Sequence, residues 1–403
     1  MALNLSDPAD TAWCRRRTRV WLTIAMRMIL TACACLLSTI RVNAQETTAR
    51  KLTSITLTEP ADTRVEGYVV APMPDGGVLL EHRSGRLQMI NGPTITERSE
   101  TEFEFQRMSD EEMGTYLTSL TGPEFHISQT DHYIICANTS EAYAEYVGRL
   151  LDRVHTEYGK LMTDLNAPFK PSAEKLPVII LSSVSEFQEF AKRQHPETTF
   201  EDTPGYYSIR ENQVLLQDLT RDRSLKAPAI RKKLAEQPLQ LATIVHEAVH
   251  QLAFNTGLQV RMADNPVWFS EGLATYFEQV AVKSPQLWSK PGLVNARHHA
   301  EFVRTATGAL SIPLETLLGS EDTFLDSTTV ATAYAESWAL VYYLHKDHRE
   351  KLGVYMNSLS RLQPIQRVSP EMRMTIFSQA FGESPGDMEK KMIPVIRKLR
   401  VPK

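Results

Sequence analysis

The chain has 403 residues, of which 42% are hydrophobic and 23% charged, the balance of an ordinary globular protein long enough for one sizeable core plus one or two smaller units. Its net charge of -4 supplies no basic field and no nucleic-acid motif is present, which excludes nucleic acid as a partner. The first stretch reads as an export leader. Arg15, Arg16, Arg17 and Arg19 precede an apolar run that Arg27 interrupts and that continues from Met28 to Ile40; Val42, Asn43 and Ala44 then resemble a small-residue cleavage site. This predicts residues 1–44 as a signal peptide and a mature chain from Gln45. The run from Met26 onward makes a compact signal peptide by itself, so a translation start downstream of Met1 is also expected. Two alternatives stay open: a lipoprotein acylated at Cys33, because Leu30-Thr31-Ala32-Cys33 resembles a lipobox, and an uncleaved anchor. The interrupted run is too short for a comfortable membrane span, so no stable span is expected in the mature chain.

With Cys14, Cys33 and Cys35 in the leader, Cys136 is alone in the mature chain and no disulfide is expected; its apolar setting predicts a buried small hydrophobe. Residues 50–110 read as a small β accessory unit. Gly67 to Val70, Gly77 to Leu80 and Arg86 to Ile90 are strand-like runs separated by Pro-Asp-Gly-Gly and Ser-Gly turns. The unit either binds a partner or covers the remainder of the chain, and His82 within it is expected to be solvated. Asp110 to Leu120 reads as a short polar helix or a connector. A strand over 132–136, a long amphipathic helix over 141–161, an apolar strand over 176–181, a helix over 184–192 and a hairpin made from 205–208 and 213–217 follow.

The next helix carries chemistry. Pro238 suits its first turn, Leu241, Ile244, Val245, Ala248, Val249 and Leu252 give a wide apolar face, and Asn255-Thr256-Gly257 reads as its stop. His246, Glu247 and His250 within it fit His-Glu-x-x-His. Residues four apart lie one above the other on a helix, so both imidazoles can reach one metal ion, with a carboxylate beside them to take a proton. One buried histidine is more often a hydrogen-bonded core residue than a ligand, so a third donor decides the matter. Asn265 and Pro266 read as N-cap and first residue of a second helix. Glu271 lies about one turn in, where two antiparallel helices present it to the same point as the histidines.

His-Glu-x-x-His followed by Trp268-x-x-Glu271-Gly272-x-Ala274 resembles the gluzincin branch of zinc metallopeptidases, the peptidase MA-like superfamily, close to an exported bacterial group whose substrates are mostly unassigned. The motif-bearing likeness runs from about Gln237 to Glu278. It implies His246, His250 and Glu271 as ligands of one Zn2+ per chain, Glu247 as general base, and a peptide or protein as substrate. It also implies a mixed sheet packed on the motif helix, with the hairpin edge pairing with extended substrate. The metzincin pattern is excluded, since Ala253 and Thr256 stand where it needs Gly and His. The absence of Gly-x-Met-Glu-Asn removes support for aminopeptidase action. Thr275 and Glu278 are candidates to steady the ligands, a surface role for Glu278 remaining open.

Beyond Glu278 the chain reads as mostly helical, with loops near 284–291 and 319–329. Members of the resembled superfamily carry a helix after the ligands with Tyr near its start, which makes Tyr334 a candidate donor to a developing oxyanion; the alternative is a core aromatic. His298 with His299, and His345 with His348, lie among charged neighbours and are expected on solvated helix faces rather than at a second metal. The expected fold class is α+β. A zincin-like catalytic core over 125–290, with the mixed sheet packed on the motif helix, would follow the small β unit and precede a helical C-terminal region over 291–403. The expected function is zinc-dependent peptide-bond hydrolysis by an exported protein, periplasmic or extracellular. The alternatives are a metal-bearing but inactive binding protein, or a structural chain without metal.

Overall fold

The computed structural model describes residues 50–58, 60, 62–196, 198, 200 and 203–401; the predicted leader, with Cys14, Cys33, Cys35 and the cleavage site, lies outside the described residues. The fold is α+β. The first five strands are β1 (Lys51–Leu57), β2 (Thr63–Pro72), β3 (Val78–Glu81), β4 (Leu87–Ile90) and β5 (Ile95–Glu104). They form an antiparallel sheet ordered β4-β3-β2-β1-β5. The turns follow the predicted chemistry, because Gly76 and Gly85 adopt φ of 83° and 82°, a region costly for any residue with a Cβ. The outer strand β5 is long and densely charged, which discourages further strand pairing.

Helix α1 (Asp110–Thr121) opens on a capping box between Ser109 and Glu112. The second sheet comprises β6 (His126–Gln129), β7 (Tyr133–Ala137), β8 (Leu176–Leu181), β9 (Gly205–Ser208) and β10 (Gln213–Gln217), interleaved with α2 (Glu141–Asp164) and α3 (Val184–Gln194). Its order is β6-β7-β8-β10-β9, with the central pairs parallel and both outer pairs antiparallel, so it is mixed and ends on β9. Alternation sorts its side chains. Ile135, Val178, Ile180, Val214 and Leu216 face the main core, while Ile134, Cys136, Ile179, Leu181 and Leu215 face a second cluster under α1 and α3. Cys136 is buried there and desolvation pushes its thiol up to about 11, so it is a core residue and not a thiolate.

Helix α4 (Ala227–Ala235) precedes the two motif helices, α5 (Pro238–Asn255) and α6 (Val267–Phe277). Pro238 stands in the first turn of α5 and Gly257 takes φ of 90° past its end, as its sequence requires. Helix α6 starts one residue later than expected. Pro266 is extended and acts as N-cap, while the Asn265 amide turns back to the carbonyls of Val260 and Ala263. The remaining helices are α7 (Ala296–Thr305), α8 (Leu314–Gly319), α9 (Asp322–Leu325), α10 (Val330–Asp347), α11 (Arg349–Leu359), α12 (Pro370–Phe381) and α13 (Pro385–Arg397). One continuous apolar core joins Leu79 and Leu87 of the first sheet to Val249, Phe269, Leu340 and Ile396. Among the described residues no helix is long and apolar enough to cross a membrane.

Candidate metal centre

Helix α5 is buried on every face from Leu241 to Phe254, so its polar residues are held inside the protein by the packing of their apolar neighbours. His246 and His250, one turn apart, bring their Nε2 atoms to 2.9 Å from each other. Glu271 arrives from α6, with Oε2 3.1 Å from His246 Nε2 and Oε1 3.6 Å from His250 Nε2. All three side chains are 1% exposed. Two features of α6 place Glu271. Trp268 is buried against Tyr355 of α11 at 5.6 Å between rings. Gly272 lets α10 approach closely, since a Cβ there would stand 2.6 Å from the Ser337 carbonyl oxygen.

The three donors fit a divalent ion. Their ligating atoms lie within 4.8 Å of one another. A tetrahedral ion with bonds of about 2.0–2.1 Å keeps neighbouring donors roughly 3.3 Å apart, and imidazole nitrogens with a carboxylate are a usual zinc donor set. Among the described residues these are the three whose atoms group in this way.

Behind the ligands lies a second set of groups, part of which the sequence did not disclose. His246 Nδ1 donates to Glu278 Oε1 at 2.6 Å, which leaves the Nε2 lone pair facing His250 and Glu271. Glu278 is buried and not at the surface; its Oε2 accepts from Asn295 Nδ2 at 3.3 Å and stands 3.4 Å from His298 Nε2. Burial pushes the Glu278 carboxyl up, but the neighbouring His246 and His298 outweigh it and hold it well below the usual range. His298 itself is pulled down by burial, against the pull of Glu278. Asn295 caps α7 by accepting from the His298 N–H and thereby fixes the imidazole it precedes. Thr275 joins this set only through its backbone: its carbonyl accepts from Asn295 Nδ2 at 3.2 Å, while its hydroxyl donates to the carbonyls of Glu271 and Gly272 on its own helix.

Glu247 sits beside the ligands, 2% exposed, and its Oε2 accepts the backbone N–H of Tyr207 at 2.9 Å. That N–H belongs to β9, the outermost strand of the second sheet, which is buried along its whole length and touches the site at Glu247. No side-chain motif announces a backbone donor, which is why the contact was not legible. Tyr334 is buried on α10, stacked on His298 with ring centroids 6.3 Å apart and edge-on to Phe324 at 5.9 Å.

The histidines expected on solvated faces are not solvated. His298 and His299 are buried, His299 donating toward the Ile396 carbonyl at the base of α13. His345 is half-buried between the Tyr276 hydroxyl and Arg349, and His348 is half-buried near Tyr343 and Glu383. His82 is likewise half-buried, bonded to Gln88 at 2.8 Å, and desolvation lowers its basicity.

A search of curated proteins returned no match. Residues 240–366, from the first turn of α5 to just beyond α11, match a family described as "Protein of unknown function (DUF1570)". Over that segment, which holds both motif helices and Tyr334, the chain is similar to a family without an assigned function.

Proposed function

We propose that the chain is an exported zinc-dependent peptidase of the gluzincin type, with one Zn2+ per chain held by His246, His250 and Glu271. The observation that carries this reading is the convergence of those three donors beside Glu247 on two packed helices. A mixed sheet whose edge strand touches the site at Glu247 supports a zincin-like catalytic core. The basic and then apolar leader supports export.

When bound, zinc would polarise the scissile carbonyl and the attacking water as a Lewis acid. Glu247 takes a proton from that water as its oxygen bonds to the carbonyl carbon, then returns it to the amine nitrogen as the C–N bond breaks. The Tyr207 N–H holds one Glu247 oxygen and so orients the other for this transfer. Glu278, with Asn295 and His298, keeps the His246 proton on Nδ1. Tyr334 is the candidate donor to the developing oxyanion.

The near-complete burial of His246, Glu247, His250 and Glu271 favours one second reading, a metal-bearing protein without turnover. Two variants separate the readings. Metal content of the chain from Gln45 onward is measured beside Glu271→Ala and Glu247→Gln, together with cleavage of a mixed peptide library. One zinc per chain, lost in E271A but kept in E247Q while cleavage disappears, supports the peptidase. Zinc retention with no cleavage by the parent chain supports the inactive reading, and absence of zinc from the parent refutes both.

A further inference from the structure

The first sheet does not stand apart from the candidate metal centre. Arg261 lies in the loop between α5 and α6, the connection that sets how Glu271 meets the histidine pair. Its guanidinium is almost wholly buried and is shared among three parts of the chain. Nη2 donates to Glu81 Oε1 on β3 at 2.7 Å, while Nη1 donates to the Gly85 carbonyl in the β3–β4 turn at 2.7 Å and to the Ile209 carbonyl in the β9–β10 turn at 3.3 Å. Glu81 is buried too and takes further bonds or ion pairs from Arg107 and Arg50. The same two turns are joined directly. Leu87 N–H donates to the Arg210 carbonyl at 2.7 Å, and Arg86 pairs with Glu211 at 3.4 Å. The β9–β10 turn is in turn fastened to the end of α5, where Asn212 and Asn255 exchange amide hydrogen bonds at 2.8 Å.

These contacts form a closed circuit: first sheet, β9–β10 turn, end of α5, α5–α6 loop. Two members of the circuit carry chemistry, since β9 supplies the N–H on Glu247 and the loop leads into Glu271. We propose that Glu81 and Arg261 are positioning residues, through which the first sheet holds β9 and the α5–α6 loop in the register that assembles the metal centre. The planar guanidinium with its several fixed donors suits one side chain bonding two carbonyls and a carboxylate at once, which a lysine ammonium on a flexible stem does not reproduce. The proposal deepens the zinc reading and rests on it for its metal readout, although its mechanical part is testable without metal.

The experiment uses the full mature chain and two measurements. The first is zinc affinity by competition with a chromophoric chelator, at a temperature well below every variant's melting point. Glu81→Ala and Arg261→Lys are expected to weaken zinc by about tenfold or more, the loss typical when groups behind metal ligands are removed, and Glu81→Gln, which keeps an acceptor for Arg261, is expected to recover most of it. Ile134→Ala, on β7 and separated from β9 by β8 and β10, serves as a variant of lowered stability outside the circuit and is expected to leave zinc affinity unchanged. The second measurement is hydrogen exchange on the metal-free chain, where E81A and R261K are expected to accelerate exchange across 205–208 and 256–272 relative to I134A. Affinities equal to the parent, losses matched by I134A, or unchanged exchange in those segments would each overturn the clamp. A parent chain that binds no zinc refutes the metal reading, and the exchange pattern still decides whether the clamp exists.

Discussion

Glu278 is the residue on which the candidate site turns, because one carboxylate serves His246, Asn295 and His298 together. Removing His298 leaves Glu278 with fewer buried partners and loosens the orientation of His246, so His298→Ala is expected to weaken zinc roughly tenfold. If its effect passes through Glu278, it adds nothing in a Glu278→Ala background; full additivity in that double-mutant cycle would assign His298 a separate role. Tyr334→Phe tests the oxyanion donor. It should leave zinc affinity intact and lower kcat on the order of 100-fold, the usual scale for such a donor, whereas unchanged kcat would return Tyr334 to the core. The convergence of His246, His250 and Glu271, with Glu247 beside them, was legible because helical spacing puts residues four apart on one face. His298 was not, because Arg297 and Glu301 on the same helix read as solvent-facing, and only the packing of α7 shows which side turns inward.

At the scale of elements, the approach of α6 to α10 decides where Glu271 sits. A glycine inside a helix is ordinarily improved by alanine, by about 1 kcal/mol. At Gly272 the sign should reverse, because a methyl group would meet the Ser337 carbonyl oxygen at 2.6 Å and Val341 Cγ2 at 2.8 Å. Gly272→Ala is expected to cost about 1–3 kcal/mol of stability, the range for overpacking, and to weaken zinc by shifting α6. A variant that melts later than the parent would show that the crossing has room to relax. The course of α5, with Pro238 at its start and Gly257 past its end, was readable from local signals, as were most strands from their apolar runs. The start of α6 was misread by one residue because Asn265 satisfies loop carbonyls and leaves capping to the backbone of Pro266.

For the molecule as a whole, two carboxylates brace the helical region. Glu336 of α10 accepts from the N–H groups of Ser311 and Ile312, and Glu389 of α13 from those of Leu310 and Leu314. Glu336 is 0% exposed, and burial raises its carboxyl to about 8 against the lowering pull of those N–H groups, with Glu389 and Glu301 adding repulsion. The folded protein therefore holds a proton between pH 4.5 and 8 that the unfolded chain releases, so stability falls as pH rises through that window. The expected loss is on the order of 1–3 kcal/mol, and Glu336→Gln should flatten the decline in Tm between pH 5 and 8. An undiminished decline in E336Q would place the titration elsewhere. The α5–α6 loop is gripped from this side as well, through Asp264, which accepts from Arg373 at 2.8 Å and from the Val368 N–H at 2.7 Å.

What the sequence by itself determined is what short range governs: the motif helix, its histidine spacing, its boundaries, the alternation of the buried strands and the order of strands and helices. These follow from backbone geometry and from neighbours within one or two turns. Only the tertiary structure decided how Glu278 comes to meet both His246 and His298, why Glu247 faces the N–H of Tyr207, and that Arg261 joins the first sheet to the loop between the motif helices. Those contacts join residues far apart in the chain, several through backbone groups that every residue possesses, and so they leave no mark in residue type or spacing.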